Sequence, residues 1–116
     1  MNVGRAQEFY VYDNDMQVTK VGQAMLRVFF GRAYMRLERT MTRKGRQLDP
    51  PAVFRYVGKA AGDLVLLRFR QAGTGRYGVC VLRVEVGTGR LVGRATYFDS
   101  DHGSFEVGEM YLKPVA

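Results

Sequence analysis

Apolar and polar residues alternate over short stretches along most of this chain, and glycine-bearing turns separate the stretches. The segment Arg32–Arg43 shows the pattern: positions 33, 35, 37 and 41 are apolar and share one face of an extended chain, and Arg39 is the one exception. A period of two is typical of a β-strand that buries one side. The pattern therefore favours antiparallel β structure.

About eight strands in sequence order follow from this alternation. The consecutive prolines in Lys44–Pro51 remove backbone donors, so we predict a loop there, at a point where the sheet can divide into two halves. The segment Gln17–Arg43 also contains good helix formers, so a helix within it is the alternative. The predicted strands are Gln7–Asp13, Gln17–Phe30, Arg32–Arg43, Ala52–Val57, Leu64–Arg70, Tyr77–Val86, Leu91–Phe98 and Phe105–Leu112.

Eight short antiparallel strands in succession leave two exposed edges unless the sheet closes. We therefore predict an all-β fold, a small antiparallel up-and-down β-barrel of about eight strands. The length of 116 residues fits one domain, so residues 1–116 are predicted to form a single β-barrel domain. Barrels of this strand number have room for side chains or one small ligand.

The chain is basic, because 18 Lys and Arg residues outnumber 11 Asp and Glu residues and leave a formal net charge of +7. Fourteen of the cations are Arg, whose planar guanidinium pairs with phosphate and stacks on aromatic rings. This charge favours an anionic partner such as a nucleotide, a nucleic acid or an anionic lipid. The alternative is a charge that serves solubility alone.

Several arginines interrupt otherwise apolar strands in which aromatic residues also occur. A mixture of rings and guanidinium groups suits a ligand that has both a base and a phosphate. The alternative for each arginine is an outward position that faces water. The predicted ligand-binding residues are Tyr56, Arg68, Arg83, Arg94 and Tyr97.

The sequence contains no recognisable catalytic centre, and we predict neither an enzyme nor a metal or cofactor site. Cys80 lies in an apolar run and is predicted to be a buried structural thiol. His102 is the only histidine, which is too few for a triad or a His-rich metal site, and a solvated turn is expected there. The segment Gly73–Gly78 has the G-x-G-x-x-G spacing, but a strand and not a helix follows it, so we interpret it as turn chemistry.

The C-terminal half carries an ordered series of motifs. A glycine-containing strand, Tyr77–Leu82, precedes the L-x-G element Leu91–Gly93, and a final glycine-led apolar strand covers Gly108–Leu112. Over roughly residues 52–113 this series resembles the cyclic-nucleotide receptor β-barrel of CBASS anti-phage effectors, in which two transmembrane helices precede the barrel. The resemblance implies binding of a cyclic dinucleotide made by a partner nucleotidyltransferase, and oligomerisation on binding.

This sequence departs from that family because it has no stretch of eighteen apolar residues that could form a transmembrane helix. Its start also lacks the apolar segment of a signal peptide. The expected location is the cytoplasm, including that of a cytoplasmic domain separated from a membrane anchor. A receptor fused to another segment, or a barrel outside the family, remains the alternative.

The leading functional hypothesis is a cyclic dinucleotide sensor of antiviral defence, with the ligand in a basic, aromatic-lined pocket. A second hypothesis is a lipocalin-like carrier of an apolar small molecule, whose cavity would be lined by Met25, Met35, Met41 and Phe69. A third is sequence-tolerant binding of single-stranded nucleic acid.

Overall fold

A computed structural model describes residues 6–12, 19–42, 45–71, 76–100 and 102–115 of this chain. Each strand pairs antiparallel with the next, and the last pairs with the first, so the sheet is a closed barrel. The predicted all-β, up-and-down architecture is confirmed. The strands are β1 (Ala6–Tyr12), β2 (Lys20–Phe29), β3 (Arg32–Met41), β4 (Gln47–Ala61), β5 (Leu64–Gln71), β6 (Tyr77–Val84), β7 (Leu91–Asp99) and β8 (Ser104–Pro114).

The stretch in which a helix was the alternative contains β2 and β3 over its described residues. These two strands are joined by the two-residue turn Phe30–Gly31, whose φ angles are 48° and 75°. Two central residues with positive φ are typical of the type I′ turn, whose twist matches that of paired strands. The predicted limits Asp13, Gln17 and Arg43 lie outside the described residues.

The loop predicted at Lys44–Pro51 is wrong for its second half. β4 begins at Gln47, which pairs with Met41, and the pairing with β3 resumes at Ala52, which is opposite Arg39. The two prolines fall between these points, in the irregular part of the register. A strand tolerates proline at a bulge because no donor is needed there. The sheet is therefore continuous through the prolines and does not divide into two halves.

Alternate side chains of the strands point inward and fill the interior of the barrel, as β5 illustrates. Its residues 65, 67, 69 and 71 are buried, and the residues between them are exposed. Phe9, Leu26, Val65 and Leu82 are among the largest fully buried side chains. The fully buried side chains of Val65, Leu82 and Leu91 lie near the end of the barrel at which β2, β4 and β6 finish. The end at which β1, β3, β5 and β7 finish is less completely filled, because a cavity lies there.

The predicted glycine turns agree with the structure where it describes them. The segment Gly87–Arg90 lies in the β6–β7 connection, and Arg90 Nε donates to Glu85 Oε1 at 2.6 Å. This hydrogen bond lowers the pKa of Glu85. The similar residues 73–75 lie outside the described ranges. No helix within those ranges is long and apolar enough to cross a membrane.

Candidate functional site

A cavity of about 290 Å³ lies at the less filled end of the barrel. Inward-facing side chains from β1, β3, β4, β5, β7 and β8 line it, together with Arg76, which precedes β6. Five of the lining residues are aromatic and two are arginines. They are Tyr12, Phe54, Tyr56, Phe69, Tyr97, Arg39 and Arg76.

The aromatic walls follow directly from strand register. Phe54 and Tyr56 are two residues apart on β4 and so share its inner face, and Phe69 of β5 is paired with Tyr56. The ring centroids of Tyr56 and Phe69 are 5.0 Å apart, and those of Phe69 and Tyr97 are 6.3 Å apart. Centroid distances of about 4.5–7 Å are those of favourable aromatic pairs. The rings form one connected wall of the cavity.

Gly78 of β6 allows the rings of this wall to pack closely, because it has no side chain. It pairs with Phe69 on one side and with Tyr97 on the other. A Cβ added at Gly78 would lie 2.6 Å from Phe69 Cζ and 2.6 Å from Tyr97 Cβ. Any side chain at this position would therefore displace one of the two rings.

Two arginines bring positive charge to the cavity. The guanidinium of Arg39 is held by a hydrogen bond from Nε to the carbonyl oxygen of Met41 at 2.8 Å. The guanidinium of Arg76 lies 3.4 Å from Asp99 Oδ2 and donates to Gln71 Oε1 at 3.4 Å. Asp99 and Gln71 are both buried, so they fix the direction of Arg76. Guanidinium groups positioned in this way can pair with a phosphate or carboxylate.

Asp99 also contacts His102, whose Nδ1 lies 3.0 Å from Asp99 Oδ2. The imidazole itself is largely exposed, as the predicted solvated turn requires. Among the described residues, no group of three or more His, Cys, Asp or Glu side chains could hold a metal ion. The three side chains of Arg76, Asp99 and His102 are thus best understood as a polar rim at this end of the barrel.

Burial raises the pKa values of two titratable side chains inside the barrel, Tyr56 and Cys80. Desolvation raises the pKa of Tyr56, the nearby Cys80 raises it further, and the guanidinium of Arg39 acts in the opposite direction. The phenol is therefore neutral at physiological pH and can donate a hydrogen bond. Burial also raises the pKa of the Cys80 thiol to about 12, which leaves it protonated and a poor nucleophile. The prediction that Cys80 is buried is confirmed.

The five predicted site residues do not lie in one pocket. Tyr56 and Tyr97 are brought together in the cavity, whereas Arg68, Arg83 and Arg94 are on the outside of the barrel. The reason is the period of two: Arg68 follows one inward residue of β5 and precedes another, and must face out. Arg83 and Arg94 share a shallow outer depression, where Arg94 Nη2 lies 3.6 Å from Glu109 Oε1.

Sequence reasoning missed the two arginines of the cavity. Arg39 did leave a signal, because it is the exception in an otherwise apolar alternation and therefore the polar residue on an inward face. Arg76 left none, because it is in a connection and comes close to Asp99 only when β6 and β7 pair.

The carrier hypothesis also needs a correction. Met25 was predicted to line a cavity, but its side chain faces outward and is 41% exposed. Met35 is buried in the core, Met41 packs against the core, and Phe69 does line the cavity. Met25 faces out because it lies between the inward residues Ala24 and Leu26 of β2.

Comparisons of this chain with protein-family models, with curated proteins and with solved structures found no match. The resemblance to CBASS receptor barrels therefore stays a prediction.

Proposed function

We propose that this barrel binds a small anionic ligand with a planar ring, of the nucleotide type, in the cavity at its less filled end. The observation that carries the proposal is that five aromatic residues and two arginines line the same cavity. Aromatic walls stack on a base, and guanidinium groups pair with a phosphate. Cyclic dinucleotide sensing, as in a CBASS effector, is the specific form of this proposal that the motif series favours.

Cavity size limits how such a ligand would sit. The volume of about 290 Å³ is at the small end of the roughly 300–1,000 Å³ typical of ligand pockets. It suits one base and its sugar better than a whole dinucleotide. For a cyclic dinucleotide we expect one base to lie against the wall formed by Tyr56, Phe69 and Tyr97. The phosphates would then lie near Arg39 and Arg76.

A carrier of an apolar small molecule is the second candidate, because the aromatic wall and the apolar lining residues Leu37 and Met110 would suit one. The guanidinium groups of Arg39 and Arg76, which border the same cavity, argue against a carrier. An apolar ligand would desolvate these charged groups and offer them no further partner, which is costly.

Thermal denaturation with added ligands tests the proposal. A ligand that binds only the folded state stabilises it by roughly 2.7 kcal/mol at a hundredfold excess over Kd, and this raises Tm by on the order of 10 °C in a domain of this size. We expect such a shift with a cyclic dinucleotide, and a smaller one with the linear dinucleotide of the same bases. The linear form loses more conformational freedom on binding. A shift with a fatty acid alone would favour the carrier.

Two matched arginine variants locate the site. Arg39→Gln removes a cavity cation and is expected to weaken ligand binding about tenfold or more, the typical effect of losing one charge-assisted hydrogen bond. Arg83→Gln removes the same charge from the outside of the barrel and should leave binding unchanged. Equal losses in both variants would indicate a general basic surface. A loss in Arg83→Gln alone would support the outer site predicted from the sequence.

A further inference from the structure

One side of the barrel carries a dense group of exposed cations, all on the outer surface of β2 to β5. We call this group the basic face. The alternation places them outward, because each lies between inward-facing residues of its strand or at the strand end. The basic face consists of Arg27, Arg32, Arg36, Arg55, Lys59, Arg68 and Arg70, all of which are exposed.

The basic face accounts for nearly all the net charge of the chain. Over 23–29, 32–38, 53–61 and 64–70, which are the strand segments that carry it, the only carboxylate is that of Glu38. Glu38 Oε2 lies 3.3 Å from Arg36 Nη1. Seven cations less one carboxylate leave a formal charge of +6 on this face, against +7 for the whole chain. Cations that served only solubility would not need to collect on one side.

Strand register places several of these cations directly opposite one another. Arg36 is directly opposite Arg55, and Arg55 is directly opposite Arg70 on its other side. Arg32 is likewise opposite Lys59. Like charges in directly opposite positions destabilise a sheet. An arrangement that opposes folding but concentrates positive charge is expected where an anionic partner offsets the repulsion.

Exposed rings lie within this group of cations. Tyr34 of β3 is 45% exposed and is paired with Arg27 of β2. Tyr77 of β6 is 56% exposed and is paired with Arg70 of β5. A partner that fits this surface must present phosphates and flat apolar surfaces along its length. Single-stranded nucleic acid does so, because its bases are free to stack on rings while its phosphates meet arginines. A duplex presents mainly phosphates.

From this combination we propose that the basic face binds single-stranded nucleic acid without sequence preference. The site is separate from the cavity, because every residue of the basic face points out of the barrel. Backbone contacts supply affinity, and stacking on Tyr34 and Tyr77 selects single strands over duplex.

Fluorescence anisotropy of a labelled oligothymidylate of about fifteen nucleotides tests the proposal, since small barrels cover roughly 4–16 nucleotides. Contact with three to five phosphates predicts that log K falls with log salt with a slope of about −2 to −3.5. We expect Arg55→Ser combined with Arg70→Ser to weaken binding at least about tenfold. The matched control, Lys20→Ser combined with Lys113→Ser, removes the same charge outside the basic face and should change affinity less than about twofold. Melting curves of both double variants show whether they remain folded.

Tyr34→Leu separates stacking from charge, since it should lower affinity severalfold while the salt slope stays the same. Gly108→Val fills space in the cavity and should leave oligonucleotide binding intact. The nucleic-acid proposal and the cavity proposal can therefore fail independently of each other. The proposal is overturned if both double variants lose affinity equally, or if a duplex of equal length binds as tightly. Arginine-dependent binding to vesicles with anionic lipid, without binding to the oligonucleotide, would also overturn it.

Discussion

Gly78 and Gly108 are both inward-facing glycines beside Tyr97, but their surroundings differ. A Cβ at Gly78 would meet Thr96 O at 2.5 Å as well as two aromatic side chains, whereas a Cβ at Gly108 would meet, among the described residues, only Tyr97 Cε1, at 4.0 Å. The first glycine is needed for close approach of rings and backbone. The second leaves part of the cavity open.

We therefore expect Gly78→Ala to lower the free energy of unfolding by about 1–3 kcal/mol, the usual effect of forcing extra volume into a packed site. Gly108→Ala should be neutral or stabilising by up to about 1 kcal/mol, since glycine within a strand loses more conformational entropy than alanine. Urea denaturation of both variants measures the difference. Equal effects would mean that the aromatic wall can rearrange around Gly78.

At the scale of single residues, the types of residue in the site were easier to predict than their positions. Aromatic residues and arginines were expected at the site, and Tyr56 and Tyr97 do line the cavity. In β5, however, apolar residues occupy both faces: Leu64 and Leu66 are exposed while Val65 is buried. Hydropathy alone then cannot say whether Arg68 or its neighbour points inward. Closure of the barrel makes that choice, and closure depends on all eight strands.

The β2–β3 hairpin contains an unusual turn residue. Phe30 has a φ of 48° and is 81% exposed, and its ring contacts that of Phe29 at a centroid distance of 4.4 Å. Left-handed backbone costs a non-glycine residue roughly 1–2 kcal/mol, and the type I′ turn prefers Asn followed by Gly. Gly31 already occupies the second position.

Phe30→Asn is accordingly expected to raise the free energy of unfolding by up to about 1 kcal/mol, because Asn tolerates this backbone and the lost ring contact is exposed. Phe29→Asn is the control. It places the same side chain in β2, where Asn is unfavourable, and should destabilise the fold. Thermal denaturation compares the two, and a fall in Tm for Phe30→Asn would show that the ring contact outweighs the backbone strain.

At the level of elements, strand order was predictable because each alternating stretch is bounded by turn residues. Strand lengths were harder to predict. The prolines in β4 indicate a break when the segment is considered alone, yet Gln47 and Ala52 both find partners in β3. A bulge is a property of two paired strands, and one strand's sequence does not reveal it.

At the scale of the whole molecule, closure distinguishes this barrel from an open sheet. Eight consecutive strands made closure predictable, since two free edges would otherwise remain. Among the described residues, the closing pair is also the shortest ladder: β1 and β8 share four residue pairs, from Phe9 with Pro114 to Tyr12 with Tyr111. Every other neighbouring pair of strands shares seven to nine.

This difference predicts where the barrel opens first. Separating β1 from β8 breaks only the shortest of the described ladders and leaves the others, of seven pairs or more, intact, so its free energy of opening should be below that of global unfolding. Native-state hydrogen exchange measures this amide by amide. We expect the amides that bond across the β1–β8 seam to exchange before those between β3 and β4, and their exchange to depend weakly on denaturant. Exchange of both sets at one common, strongly denaturant-dependent rate would instead mean that core side chains at the seam, such as Val11 and Leu112, hold the barrel closed until it unfolds as a whole.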